Sequence, residues 1–161
     1  MENRILKLYM MIGIPGSGKS TWIKNQDWNT NTVLISSDKL IDEYAISVNK
    51  TYNEVFDEYV GIATSKIFEL ANNAKKDGKD VVWDQTNVSV KSRKKKLDLF
   101  PDYHKIAVYF NTPDDNELEK RLKSRPGKHI SQRVIYQMKD SLVIPTIDEG
   151  FDEIWYENGG L

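Results

Sequence analysis

The sequence predicts an α/β fold in which helices cover both faces of a central parallel sheet. Short apolar runs typical of strands alternate with segments of helical periodicity. A glycine-rich loop follows the first of these runs, and single acidic residues follow the next two. The 161 residues are enough for one domain with a substantial core, and no repeat or low-complexity linker divides them. We therefore predict one domain over residues 1–161.

The elements are predicted in chain order from apolar patterning and turn residues. The clearest helix is 51–76, whose apolar residues recur in steps of three and four. Thr51 or Asn53 can cap its start, and Gly78 can end it. In order, the predicted elements are strand 5–12, a helix from 19, strand 32–36, helix 51–76, strand 80–83, helix 89–99, strand 105–110, helices 114–124 and 131–141, and strand 151–156.

The segment from Gly13 to Ser20 fits the pattern G-x-x-x-x-G-K-[ST] at every fixed position. It lies between an apolar strand and a helix start, which is the context of a phosphate-binding P-loop. In such a loop, backbone N–H groups and the positive end of the helix surround an anion. Lys19 can then reach the β- and γ-phosphates of ATP, and the Ser20 hydroxyl can bind Mg²⁺. The predicted nucleotide contacts in this loop are Gly13, Pro15, Gly16, Ser17, Gly18, Lys19, Ser20 and Thr21.

Two acidic residues follow predicted strands. Asp38 lies just past the second strand, and Asp84 closes the third. Because ligands of parallel α/β sheets sit beyond the carboxyl ends of the strands, both residues should share one sheet edge with the P-loop. One carboxylate could accept the proton of an acceptor hydroxyl, and the other could support Mg²⁺. An Asp at such a position also commonly caps a helix or a turn, and position alone leaves both interpretations open.

Arg121 and Arg125 are one helical turn apart, so both face the same way. Arg125 precedes the Pro-Gly of 126–127, and we predict a movable lid around 121–131. An arginine on a lid suits the charge that develops between the β- and γ-phosphates, whereas the alternative is a solvated helix end. A basic cluster at 91–96 could hold a phosphodiester backbone. It lacks interleaved aromatic residues, which favours a solvated helix face for most of its positions.

The net charge of −1 argues against a molecule that binds nucleic acid through its overall field. Any anionic partner must therefore meet a local patch. The absence of cysteine excludes disulfides and cysteine-ligated zinc, and it suits an intracellular enzyme. The apolar run after Met1–Arg4 is too short to span a bilayer and carries no signal-peptide cleavage pattern. We predict a cytoplasmic protein without a membrane segment.

Five stretches of the chain, taken in order, resemble one kinase family. They are 13–22, 35–38, 84–87, 121–125 and 145–151. A P-loop alone is widespread, but its combination with the D-x-T-N turn and the late P-x-x-x-E-G-F stretch is more specific. Together these stretches resemble the 5′-hydroxyl polynucleotide kinases, the kinase module of the phage-type and animal polynucleotide kinase/phosphatases.

The resemblance implies an adenylate-kinase-like P-loop NTPase fold of three layers with a small helical lid. It also implies transfer of the γ-phosphate of ATP, with Mg²⁺, to the 5′-OH end of DNA or RNA. Lys19 would bind the phosphates, and Asp38 would be the general base for the acceptor hydroxyl. Arg125 would stabilise the transferred group with help from Arg121. The residues implied on the substrate side are Asp38, Asp84, Thr86 and Asn87, and those implied at the metal are Ser20 and Asp84.

The chain departs from the phage-type pattern at two positions. Ile41 stands where that type carries an arginine three residues after the catalytic Asp, and Ser37 stands where it carries a basic residue just before it. No D-x-D-G-T phosphatase stretch occurs. Two alternatives therefore stay open: a small-molecule P-loop kinase with a nucleoside, nucleotide or metabolite acceptor, and a nucleotide-dependent binding module without transfer activity.

Overall fold

The computed structural model describes residues 4–158, so the outer ends of the predicted 1–161 domain lie outside the described residues. Strands and helices alternate along this range as the sequence predicts. In order, the elements are β1 (Lys7–Ile12), α1 (Lys19–Lys24), β2 (Thr32–Ser36), α2 (Ser37–Ser47), α3 (Tyr52–Lys76), β3 (Asp80–Asp84), α4 (Val90–Leu97), β4 (His104–Phe110), α5 (Asp115–Lys123), α6 (Gln132–Ser141), a 3₁₀ turn (Ile147–Glu149) and β5 (Glu153–Glu157).

The five strands form one parallel sheet in the order β2-β3-β1-β4-β5. This confirms the predicted α/β class. The central strands read as nearly continuous apolar runs because both of their faces are covered. The three strands that carry predicted site residues at their ends, β2, β3 and β1, are direct neighbours. Parallel pairing brings their carboxyl ends to one edge, with Ser36 of β2 opposite Asp84 of β3.

The sheet separates two apolar cores. On one face, Ile67 and Ala71 of α3 and Leu97 of α4 pack against β1 and β3 around Trp83. On the other face, α1 covers the sheet through Trp22, which packs with buried residues of β1, β3 and β4. Side chains alternate between the two faces along each strand, so adjacent residues enter different cores.

Helix α2 was not predicted from the sequence pattern. The Ser36 hydroxyl caps it by accepting a hydrogen bond from the Lys39 backbone N–H at 3.2 Å. Ile41 and Ala45, four positions apart, are buried against α3. Asp38 does lie just past β2, as predicted, and the structure adds that it occupies the first turn of this helix.

Helix α3 matches its predicted span closely. Thr51, the first of the two predicted caps, forms a capping box with Glu54. Its six buried residues lie along one face, which packs on the sheet and on α2. Among the helices within residues 4–158, none has both the length and the apolar composition that crossing a membrane requires.

Helix α4 carries the basic cluster, in which Lys91, Lys94 and Lys95 are exposed, as expected for most of its positions, but the other two members are buried. Arg93 is 0% exposed and Lys96 is 8% exposed. The Arg93 guanidinium forms a bidentate ion pair with Glu149, at 2.8 and 3.0 Å. It also donates to the carbonyl oxygens of Asn87 at 3.0 Å and Val143 at 2.9 Å. A buried guanidinium persists only when its donors are paired, so Arg93 ties the loop after β3 to the segment before β5.

Candidate active site

The P-loop connects β1 to α1 and depends on glycine at several positions. Gly16 and Gly18 have φ angles of +82° and +103°, which residues other than glycine rarely adopt. A Cβ on Gly16 would also lie 2.9 Å from Cδ1 of Leu118 in α5. The Gly13 N–H donates to the carbonyl of Thr86, two residues past the end of β3, at 2.9 Å. The loop is thereby fixed against the loop after β3.

Lys19 extends back over the P-loop. Its Nζ donates to the carbonyl oxygens of Gly13 and Ile14, both at 2.8 Å. Burial lowers the pKa of Lys19 to about 8, and the nearby carboxylates of Asp84 and Asp38 oppose that shift. The ammonium therefore lies where the loop, the end of β3 and the start of α2 converge.

The loop has the features of an anion site. Ser17 is fully buried, and within residues 4–158 its Oγ is a buried side-chain atom with no hydrogen-bond partner. Such orphaned polar atoms are rare and usually await a ligand or water. A Cβ on Gly13 would lie 2.6 Å from this oxygen, so only glycine leaves the space. The glycine conformations, the orphaned hydroxyl and Lys19 together fit a bound phosphate chain.

The predicted metal residues lie on either side of the loop. Asp84 ends β3 and is partly buried, whereas Ser20 is exposed in the first turn of α1. Burial raises the pKa of Asp84, and the Lys19 ammonium opposes that rise. The described part of the chain holds no group of three or more His, Asp or Glu side chains suited to a metal ion. Mg²⁺ commonly uses one or two carboxylates together with substrate phosphates and water, and Asp84 with Ser20 fits that type.

The structure brings Asp38 and Arg125 together, although 86 residues separate them in the chain. An Arg125 Nη2 lies 4.0 Å from Oδ2 of Asp38. The other carboxylate oxygen, Oδ1, accepts a hydrogen bond of 2.6 Å from the Tyr52 hydroxyl. Burial, followed by this bond to Asp38, raises the pKa of Tyr52, so the phenol stays protonated and donates. The Asp38 side chain is 52% exposed and stays accessible from solvent.

Arg121 contacts the P-loop itself. Its Nη1 donates to the Gly16 carbonyl at 3.1 Å, and its Nε donates to Glu117 at 2.9 Å. The two arginines predicted to act together therefore reach different partners: Arg121 reaches the P-loop, and Arg125 reaches Asp38. Both contacts start from the C-terminal half of α5 and the residues that follow it.

The segment after α5 rests on the start of α3. The Asn53 side chain donates to the His129 carbonyl at 2.9 Å and accepts from the His129 N–H at 2.7 Å. Lys128 Nζ donates to Asp42 at 2.8 Å and lies 4.8 Å from the centre of the Tyr52 ring. These contacts connect the predicted lid to α2 and α3, which carry Asp38 and Tyr52.

Asn87 departs from its predicted place on the substrate side. Its side chain is 2% exposed and donates to the Met11 carbonyl at 2.8 Å. Its Oδ1 accepts a hydrogen bond from Lys96. Because both ends of the amide have protein partners, the geometry favours a role in positioning the loop over a side-chain contact with substrate. Its φ of +47° also fits asparagine, which tolerates this conformation better than most residues.

Of the predicted residues, the P-loop set, Asp38, Asp84, Arg121 and Arg125 converge on one edge of the sheet. Thr86 reaches that edge through its carbonyl, and Thr21 is exposed on α1. Tyr52 and Asp42 also contact this site but belong to no recognised motif, so they were not predicted. A signal for Tyr52 existed in its position at the start of a long capped helix, but nothing in the sequence connected it to Asp38.

Comparison with known proteins agrees with this fold. The AAA domain family matches residues 8–145. An Acanthamoeba polyphaga mimivirus protein, provisionally named a bifunctional polynucleotide phosphatase/kinase, is 31% identical over 160 residues, covering 92% of this chain and 32% of that protein. The human heterogeneous nuclear ribonucleoprotein U-like protein 2 is 21% identical over 164 residues, covering 93% and 21%. The chain thus spans a third or less of the curated relatives it matches.

Solved structures share the fold at lower identity. A protein provisionally described as a kinase from Chloroflexus aurantiacus superposes with a TM-score of 0.73 at 16% identity, covering 98% of this chain and 87% of that one. A chain of the Pnkp1/Rnl/Hen1 RNA repair complex gives 0.64 at 24% identity, covering 88% and 45%. Shikimate kinase from Acinetobacter baumannii gives 0.50 at 18% identity, covering 96% and 84%.

These neighbours confirm the predicted P-loop NTPase fold, and that fold implies use of a nucleotide such as ATP. The family match covers most of the chain, including the P-loop, Asp38, Asp84 and Arg125. The chain belongs to the AAA domain family and has the fold of kinase-like P-loop phosphotransferases.

Proposed function

We propose that this protein transfers the γ-phosphate of ATP to the 5′-hydroxyl end of a DNA or RNA strand. The observation that carries the proposal is the contact between Asp38 and Arg125 beside the P-loop lysine. A base for the acceptor and a guanidinium for the transferred group are the two parts that a P-loop alone lacks. The mimivirus relative's name and the RNA repair neighbour support a polynucleotide as the acceptor.

In the proposed reaction, Lys19 and the P-loop hold the triphosphate of ATP. Asp38 takes the proton of the acceptor hydroxyl, whose oxygen forms a bond to the γ-phosphorus. The bond from the γ-phosphorus to the β–γ bridging oxygen breaks, and ADP leaves. Arg125 stabilises the charge on the transferred group, while Arg121 supports the loop through Gly16. Mg²⁺ held by Ser20 and Asp84 would neutralise phosphate charge.

A small-molecule acceptor is the second candidate, and one observation favours it. Ile41, which replaces the arginine of phage-type kinases, is 1% exposed in the core between α2 and α3. That position therefore offers no cation to a substrate phosphate. A nucleoside, nucleotide or metabolite would need fewer such contacts than a nucleic-acid strand.

An acceptor screen tests the proposal. The protein is incubated with γ-³²P-ATP and Mg²⁺, with 5′-OH DNA, 5′-OH RNA, the same strands already carrying a 5′-phosphate, and nucleosides in parallel. We expect label on the 5′-OH strands and none on the phosphorylated strands. Label on nucleosides alone would make the small-molecule candidate correct. ATP binding without label on any acceptor would favour a binding module.

Paired variants in α2 test the role of Asp38. Asp38→Asn removes the base with little change in shape, so label transfer should fall by about two orders of magnitude or more. ATP affinity should change little, because Asp38 lies on the acceptor side. Glu43→Gln neutralises an exposed carboxylate in the same helix and should leave transfer unchanged. Equal activity of the two variants would remove Asp38 from the mechanism.

A further inference from the structure

Tyr52 makes a polar contact that the proposed reaction does not yet use. It is the first residue of α3, and its hydroxyl donates to Oδ1 of Asp38 at 2.6 Å. The two residues lie in different helices, so the bond depends on how α2 packs against α3. That packing is buried and apolar around Ile41, Val55 and Ala63. The hydroxyl is therefore held in place by the core of the two-helix unit.

The Tyr52 ring is also fixed from other sides. The Lys128 ammonium lies 4.8 Å from the ring centre and is itself held by Asp42 at 2.8 Å. The Phe56 ring, one helical turn along α3, lies 5.6 Å away between ring centres. A side chain that is packed on several sides loses little conformational entropy when it hydrogen-bonds to another group. Such a side chain is well suited to orient a catalytic group.

The two oxygens of Asp38 are used differently. Oδ1 is occupied by Tyr52, whereas Oδ2 faces Arg125 at the longer distance of 4.0 Å. A carboxylate that acts as a base must present one oxygen to the substrate hydroxyl in a defined direction. Fixing Oδ1 leaves Oδ2 as the oxygen free to take a proton. The charged or titratable groups that face Asp38 are Tyr52 from α3, Arg125 from the segment after α5, Lys19 from α1 and Asp84 from β3.

We infer that Tyr52 is a positioning residue for the transfer reaction, orienting Asp38 so that Oδ2 accepts the acceptor's proton. The inference rests on the proposed role of Asp38 as the base. It also connects the lid to the base, because Lys128 packs on the same tyrosine. A lid that swings away would leave the Tyr52 ring with fewer neighbours and the carboxylate less firmly oriented.

Tyr52→Phe tests the inference because it removes the hydroxyl and keeps the ring. We expect kcat to fall by about tenfold or more with KM for ATP unchanged, as for the loss of one hydrogen bond to a charged group. Tyr44→Phe, in α2, is the matched control: Tyr44 stacks on Tyr59 with ring centres 4.1 Å apart, a contact that phenylalanine preserves.

A second measurement does not depend on turnover. The carboxyl carbon resonance of Asp38 is compared by NMR at one fixed pH in the wild-type protein, in Tyr52→Phe and in Tyr44→Phe. We expect the resonance to move in Tyr52→Phe, because the hydrogen bond from the Tyr52 hydroxyl is lost, and to keep its wild-type position in Tyr44→Phe. An unchanged resonance, or a wild-type kcat in Tyr52→Phe, would overturn the inference. Lack of transfer by the wild-type protein would instead count against the proposed function, and the NMR comparison would still decide whether Tyr52 acts on Asp38.

Discussion

Replacing Arg93 by methionine should strongly destabilise the protein. Methionine keeps much of the buried stem but removes the charge and the donors that serve Glu149 and three backbone carbonyls. The Glu149 side chain is only 8% exposed, so its carboxylate would stay buried without its cation. Breaking a buried pair on one side costs about 3–5 kcal/mol. At about 2–4 °C per kcal/mol for a chain of this size, Tm should fall by roughly 6–20 °C.

Urea unfolding followed by circular dichroism measures the loss directly. Lys94→Met is the matched control in the same helix. Lys94 pairs with Asp98 at 3.1 Å, and both side chains are mostly exposed, so its loss should be barely measurable. Arg93→Lys should not restore stability, because an ammonium cannot reproduce the bidentate geometry. If Arg93→Met unfolds at the same urea concentration as Lys94→Met, the interpretation of Arg93 as a structural clamp is wrong.

A double variant measures the coupling energy between Arg93 and Glu149. Glu149→Gln alone should also destabilise, because it leaves Arg93 buried with an uncompensated charge. In Arg93→Met/Glu149→Gln neither charge remains, so the combined loss should be smaller than the sum of the single losses. Simple additivity of the two changes would show that the ion pair contributes no coupling energy.

Three further outcomes are expected. Gly13→Ala should weaken ATP binding and lower the free energy of unfolding by about 1–3 kcal/mol, because its Cβ would lie 2.6 Å from a buried hydroxyl. Gly61→Ala lies in open space on α3 and should raise the free energy of unfolding by about 0.5–1 kcal/mol. ATP affinity measured by calorimetry should fall as pH rises through about 8, where Lys19 loses its charge, and a flat profile would contradict the lowered pKa. Arg125→Ala should reduce label transfer about a hundredfold, while Lys123→Ala, mostly exposed, should transfer at the wild-type rate.

Local sequence patterns were sufficient to predict much of the fold. Helix caps such as Thr51 and strand periodicity are properties of a few adjacent residues, so they can be read from the chain. The glycine spacing of the P-loop reflects backbone angles that only glycine adopts readily, and those angles occur at Gly16 and Gly18. The rule that ligands lie beyond the carboxyl ends of parallel strands then placed Asp38 and Asp84 on the same edge as that loop.

Other features could be identified only from the tertiary structure. The sequence pattern favoured a solvated helix face for most of the basic cluster and did not single out Arg93, because a charge run says nothing about a partner as distant in the chain as Glu149. The same limit applies to Asn87. Its motif suggested a contact with substrate, but its side-chain amide hydrogen-bonds to the Met11 carbonyl and to the Lys96 ammonium.

The sequence by itself determined the α/β class, the phosphate-binding loop and the edge of the sheet where chemistry would occur, because these follow from short-range periodicity and from backbone angles. Only the tertiary structure decided which distant side chains meet there. The contact of Tyr52 with Asp38, and that of Arg125 with the same carboxylate, depend on how α2, α3 and the segment after α5 pack together. Such packing is set by the whole core, and no local stretch of residues encodes it.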